Sequence, residues 1–173
     1  MRLLRTTKLY AFLFAEGRLY RNPEGFWGDA GAGILMFARS TGKFMVLKRS
    51  SFVKEPGTWG IAGGALEVDE DGKLTETPEE GARREAREEL GIHSEINLIP
   101  AYVFTSPRGT FKYYNFIGVV EGEFDSELGD GENTALKWVT LEELKQLGNK
   151  HFGLRALVAN SPDLLEKLVS SGT

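Results

Sequence analysis

Three glutamates carry the chemistry that stands out in this chain. In the segment Arg84-Glu85-Ala86-Arg87-Glu88-Glu89-Leu90-Gly91-Ile92, a helix would set Glu85, Glu88 and Glu89 on one face, because residues three and four apart are helix neighbours. Like charges at that spacing repel, and a hard divalent cation bound through oxygen ligands relieves the repulsion. The opposite face, Ala82, Ala86 and Leu90, is small enough to pack closely on a sheet. A plainer reading is a solvated charged helix, since Glu79–Arg83, Glu80–Arg84 and Arg84–Glu88 all stand at the i,i+4 spacing of ion pairs.

The elements that would position these acids follow from local signals. Thr77-Pro78-Glu79-Glu80 is a capping box with proline at the first helical position, so a helix should run to Leu90 and stop at Gly91. Strands are expected at Lys8–Phe14 and Arg18–Tyr20 around the turn Ala15-Glu16-Gly17, then at Gly31–Ala38 and Lys43–Arg49. A second hairpin joins Asn97–Thr105 to Thr110–Glu121 through Ser106-Pro107-Arg108-Gly109. Thr140-Leu141-Glu142-Glu143 opens another helix ending near Gly148, and Ser161-Pro162-Asp163 caps a last one, Leu164–Val169. The glycines at 28, 31 and 33 have the wrong spacing for a dinucleotide loop and precede a strand. The pattern is mixed α+β within a single domain spanning residues 1–173.

Composition removes several classes. The chain has 173 residues, no cysteine, two histidines and a net charge of −4. Thiolate metal sites, disulfide scaffolds and cysteine nucleophiles are excluded, and His93 and His151 are too far apart in sequence to suggest a zinc pair. A mild negative charge does not suggest a strongly basic nucleic-acid binder. Arg2 and Arg5 before Leu9–Ala15 imitate a short targeting segment, but Lys8 and Glu16 bracket only seven apolar-leaning residues, which read as a strand. No stretch approaches the ~20 apolar residues of a membrane span; a cytoplasmic setting, without membrane association, is expected.

With Trp59-Gly60-Ile61-Ala62-Gly63-Gly64-Ala65-Leu66-Glu67 upstream, the carboxylate segment resembles the box of the Nudix hydrolases, G-x5-E-x7-R-E-U-x-E-E-x-G-U with U aliphatic. Gly64 matches the first glycine and Glu76 the isolated glutamate, and seven residues separate Glu76 from Arg84. One departure is clear: eleven residues, 65 to 75, lie between Gly64 and Glu76 where the pattern has five. The six extra residues sit around Glu70-Asp71-Gly72-Lys73, a polar turn of the kind loops tolerate. Asp69-x-Asp71-Gly72 is not a calcium loop, because its twelfth position is Pro78. The resemblance implies an α/β/α sandwich around a mixed sheet, here with an N-terminal β-hairpin extension (1–25) ahead of the box (64–92).

The resemblance also implies hydrolysis of a nucleoside diphosphate linked to another group. Glu85, Glu88 and Glu89 would hold Mg2+ or Mn2+ with the Gly64 carbonyl, and Arg84 would orient them. Glu76 would serve as a supporting or helix-start residue. The general base is a box glutamate, Glu89, or a later-loop glutamate, for which Glu132 is placed. On the substrate side, Arg49, beside Lys48 at a strand end, could meet phosphate. Trp59 could stack on a base or fill the core. Pro107, fifteen residues beyond Ile92, resembles a marker of the ADP-ribose pyrophosphatase group, and brings Arg108 with it. That leans the reading toward ADP-ribose or another nucleoside diphosphate sugar, and toward a homodimer through the extension.

Other readings remain open. One is a nucleoside triphosphate substrate, and another is a nucleotide-binding module that does not cleave. RNA-cap hydrolysis is suggested only by ten basic against three acidic residues in 1–54. Residues 67–89 hold ten acids and four bases. The rest of the chain is therefore slightly basic, which suits a cation on the helix and a phosphate beside it.

Overall fold

Strand β1 (Ala30–Ala38) is buried along its whole length. Its sequence, Ala-Gly-Ala-Gly-Ile-Leu-Met-Phe-Ala, has no polar alternation, and such a strand is stable only with both faces covered. The computed structural model describes residues 21–128 and 131–171; the expected hairpin around Ala15-Glu16-Gly17 lies outside them. Strands β2 (Lys43–Arg49), β3 (Trp59–Gly60), β4 (Ala62–Ala65), β5 (Asn97–Thr105), β6 (Lys112–Val120) and β7 (Asn133–Val139) complete a seven-stranded sheet. Its order is β3-β2-β1-β6-β5, with β4 added to β1 and β7 to β2. Among the described strands β1 and β6 pair in parallel, from Ala30–Lys112 to Ala38–Val120, and the other strand pairs are antiparallel.

One irregularity of the sheet positions everything that follows. β1 and β2 pair only at Phe37–Phe44 and Ala38–Lys43, next to their connecting turn. Beyond that they part. β4 takes the place beside β1, from Ile34–Ala62 to Gly31–Ala65, while β2 continues against β3 and β7. The split brings the glycine strand β4 to helix α1 (Pro78–Leu90), which packs on β1 and β4.

Helices cover both faces. On one, Ala82, Ala86 and Leu90 of α1 meet Ile34, Met36, Met45 and Leu47. On the other, Leu35, Phe37, Phe44 and Val46 meet Leu144 of α2 (Leu141–Gln146), Leu154 and Leu157 of α3 (Phe152–Asn160) and Leu165 of α4 (Pro162–Ser171). The strict alternation along β1 and β2 between these two clusters is the period-two signature of a strand buried on both sides. The result is an α/β/α sandwich of α+β class around a mixed sheet. Among the described residues no helix is long and apolar enough to cross a membrane.

Helix α1 spans the segment its capping box defines, and β2 and β5 begin and end where the pattern places them. Other pieces differ from expectation: β3 and β7 are not among the expected strands, β1 begins one residue earlier, and β6 is shorter than Thr110–Glu121. β4 and α3 are additional elements, and the last helix is longer than Leu164–Val169 at both ends. Helix α3 has no Ser, Thr, Asp or Asn cap. His151 takes that role, its Nδ1 accepting from the Gly153 N–H at 3.3 Å.

Candidate active site

Helix α1 is started by reciprocal hydrogen bonds: Glu80 N–H donates to Thr77 Oγ1 at 3.3 Å, and Thr77 N–H donates to Glu80 Oε2 at 2.7 Å. One turn on, Arg84 acts as a clamp. Its Nη2 and Nε donate to the two oxygens of Glu76 at 2.7 and 3.1 Å, its Nη1 to Glu85 Oε1 at 2.7 Å, and Nη2 also to the Ala65 carbonyl at 3.0 Å. Burial alone would raise the Glu76 carboxyl, but Arg84 and the Glu67 N–H bonded to it hold it below the ordinary range. The extra residues of the box do not disturb this. They fold as a short hairpin, with Val68 bridged to Leu74 and Asp69 Oδ1 accepting from the Asp71 and Lys73 N–H groups, and return Glu76 to Arg84.

β4 is crowded from two sides, by α1 at Gly64 and by β1 and Tyr113 at Gly63. A Cβ at Gly64 would fall 2.6 Å from Glu85 Oε1, and one at Gly63 would overlap the Tyr113 hydroxyl and the Ala32 carbonyl. The Gly63 N–H donates to Glu89 Oε1 at 2.7 Å, and Asn133 Nδ2 donates to Glu89 Oε2 at 2.6 Å. Glu89 is thus a buried carboxylate, 4% exposed, with a donor on each oxygen. Tyr113 fills the space that Gly31, Gly33 and Gly63 leave. Burial, together with the charges of Glu85 and Glu89, raises its phenol and keeps it protonated.

Glu85 shows how crowded with negative charge the helix face is. Burial pushes its carboxyl up to about 7 against the pull of Arg84, and Glu88 and Glu132 push the same way. Glu132 therefore sits within electrostatic reach of the box, and its carbonyl is held by the Ser50 N–H at 2.7 Å. Glu88 lies at the rim, its side chain 43% exposed and 3.4 Å from Arg84. Arg49 ends β2 with its Nε on the Lys54 carbonyl at 2.8 Å. Its charge lowers the Tyr113 phenol and the His151 imidazole.

Two substrate-side residues fall elsewhere. The Trp59 ring packs against the cluster that α2, α3 and α4 cover, with Lys137 Nζ 4.3 Å and Lys48 Nζ 5.9 Å from its centroid. Arg108 stands at the exposed tip of the β5–β6 hairpin, its N–H tied to Glu24 Oε1 at 2.9 Å. A shallow cleft of about 290 Å3 between Pro78 and the β5–β6 edge contains none of these groups. Asn133 and Tyr113 are the neighbours that sequence reasoning passed over. Asn133 sits beside Glu132, but nothing in its spacing points to Glu89.

The donor set suits a hard divalent cation: carboxylates from adjacent helical turns lie beside a glycine strand, where a Cβ at Gly64 would reach the Glu85 carboxylate. Among the described residues no three His, Asp or Glu side chains are gathered as a group that could hold a metal ion. Glu85 is turned to Arg84, and Glu89 to Gly63 and Asn133.

A carboxylate row apposed to a glycine strand on this sandwich is the arrangement that the resemblance to the Nudix hydrolases implies, and similarity to known proteins places the chain among the hydrolases of pyrophosphate bonds. The chain belongs to the NUDIX domain family, which it matches over residues 29–160. A MutT-like protein of Streptomyces ambofaciens is 30% identical over 132 residues, covering 74% of this chain and 73% of that protein. A protein of Mycobacterium tuberculosis provisionally named 8-oxo-dGTP diphosphatase 3 is 33% identical over 130 residues, 70% of this chain but 57% of that longer protein. Among solved structures, a Nudix hydrolase from M. smegmatis superposes with a TM-score of 0.63 at 24% identity, covering 90% of this chain and 96% of the other. Family members generally act on nucleotide substrates with the help of divalent metals.

Proposed function

We propose that the protein is a Mg2+- or Mn2+-dependent pyrophosphohydrolase of a nucleoside triphosphate, releasing a nucleoside monophosphate and pyrophosphate. The observation that carries the reading is the set of Glu85, Glu88 and Glu89 on one face of α1, beside the Gly63-Gly64 strand and organised by Arg84. Glu85, Glu88, Glu89 and the Gly64 carbonyl would hold the cation. When bound, it supplies charge neutralisation to the phosphate oxygens and lowers the pKa of a coordinated water. Arg84 holds Glu85 and steadies Glu88, while Arg49 offers a guanidinium for phosphate. Two donors fix the orientation of Glu89, which suits a ligand. Glu132, on the loop before β7, is left to accept the proton of the attacking water.

The M. tuberculosis relative's name favours a triphosphate. ADP-ribose or another nucleoside diphosphate sugar stands second. The turn that suggested it also closes the hairpin: the Gly109 N–H donates to the Ser106 carbonyl at 2.8 Å, and Glu24 accepts from Ser106, Arg108 and Thr110. The test is a panel of nucleoside triphosphates, nucleotide sugars and dinucleoside polyphosphates with Mg2+, using wild type, Glu88→Gln and Glu132→Gln. Glu88→Gln should abolish turnover. Glu132→Gln should lower kcat by roughly 10²–10⁴-fold, the usual worth of a general base. Full activity in Glu88→Gln with an intact fold refutes the reading.

A further inference from the structure

We infer that Asn133 is a positioning residue for the carboxylate helix, and that a bulge in β7 exists to aim it. The inference rests on the metal-site reading above and extends it to a residue outside the box. Along most of β7 the pairing with β2 is regular: Trp138 opposes Met45 and Leu136 opposes Leu47, all four on the α1 side of the sheet. Ala135 then opposes Lys48, but Asn133 opposes Arg49, so Thr134 is an extra residue in the ladder. Without it, simple alternation would give residue 133 the orientation of Ala135, Lys137 and Val139, the last of which packs with the α2–α4 cluster. Instead the bulge turns Asn133 to the side of Arg49, Leu47 and α1, a re-aiming that bulges commonly provide next to functional sites.

Asn133 meets Glu89 there, in a contact that spans 44 residues of sequence and is buried at both ends, with Asn133 7% and Glu89 4% exposed. The Gly63 N–H on Oε1 and Asn133 Nδ2 on Oε2 approach the carboxylate as a pair. They fix its plane much as a forked guanidinium would. The same residue follows Glu132, whose carbonyl the Ser50 N–H holds. Asn133 therefore also sets the register between the loop carrying Glu132 and the helix carrying Glu89. Such supporting hydrogen bonds to ligand groups are commonly worth 10–100-fold in metal affinity.

The test is Mn2+ binding to the full chain, read by electron paramagnetic resonance without substrate, for wild type, Asn133→Ala and Asn133→Asp. The Mn2+ dissociation constant should rise about 10- to 100-fold in Asn133→Ala. It should rise in Asn133→Asp too, where the donor is replaced by a second carboxylate of the same shape. A merely structural asparagine would lower the melting temperature and leave Mn2+ affinity unmoved. A second measurement needs no variant: the side-chain amide protons of Asn133, followed by NMR in wild type, should exchange slowly and shift as Mg2+ is titrated. Wild type that binds Mn2+ beside folded variants that bind it within twofold, or an Asn133 amide indifferent to Mg2+ that the protein does bind, overturns this inference alone. Wild type that binds neither ion overturns the metal-site reading and this inference with it.

Discussion

Replacing Arg84 by methionine tests whether the box helix is organised by one buried cation. The guanidinium is 16% exposed, its partners Glu76 and Glu85 are 10% and 12% exposed, and it also donates to the Ala65 carbonyl. Methionine keeps the aliphatic stem and leaves two largely buried carboxylates without their counter-charge. Breaking such a network by removing one partner costs about 3–5 kcal/mol, and the orphaned carbonyl adds roughly 1 kcal/mol. For a chain of this size that is a fall in Tm on the order of 10 °C. Arg84→Lys should lose about half as much. A single ammonium can serve Glu76 or Glu85 but cannot fork to the first while reaching the second. Urea unfolding monitored by tryptophan fluorescence gives both values. A cycle with Glu76→Gln should show a coupling of about 2 kcal/mol, because these residues share one network. Arg84→Met within 1 kcal/mol of wild type, or a coupling near zero, would refute the argument and return the helix to an ordinary charged surface.

Two further outcomes follow from the same geometry. His151 is held down to about 4 by burial and by the charge of Arg49, against the pull of Glu55. It is neutral when folded, so its contribution is complete above pH 6.5 and is lost as pH falls from 6.5 toward 4, by about 3 kcal/mol in all. His151→Asn, which can still cap α3, should flatten the urea midpoint over that pH window, and an unchanged slope refutes the assignment. Gly64→Ala places a Cβ 2.6 Å from Glu85 Oε1; it should cost at least tenfold in kcat at saturating Mg2+, and wild-type kcat would show that this close approach is not needed.

Legibility in the sequence followed locality. Helix α1 was readable to the residue because its start, Thr77-Pro78-x-Glu80, and its stop, Gly91, act within a turn of themselves. Strands β2 and β5 were readable because turn chemistry bounds them. β4 was not: Ala62-Gly63-Gly64-Ala65 has neither alternation nor β-branched residues, and it is a strand because β1 lies beside it. The first turn of α3 was hidden because a histidine ring, not a hydroxyl or carboxylate, caps it. Trp59 shows the same limit. A two-residue strand carries no period, so the sequence does not say which face its side chain takes.

The candidate site divides along the same line. Helical spacing is enough to place Glu85, Glu88 and Glu89 on one face, but it does not distinguish their roles, because on the helix alone they are near-equivalent. The strands make them different. Gly63 and Asn133, beside the bulge, take both oxygens of Glu89, Arg84 takes Glu85, and Glu88 stands at the solvent rim. A motif of local spacing thus names the atoms that could bind a cation. The orientation of each carboxylate comes from partners 26 and 44 residues away for Glu89, and those partners depend on a split sheet and on one extra residue in β7. Both features belong to the ladder and not to any window of the sequence, which is why the acids could be read in advance and their division of labour could not.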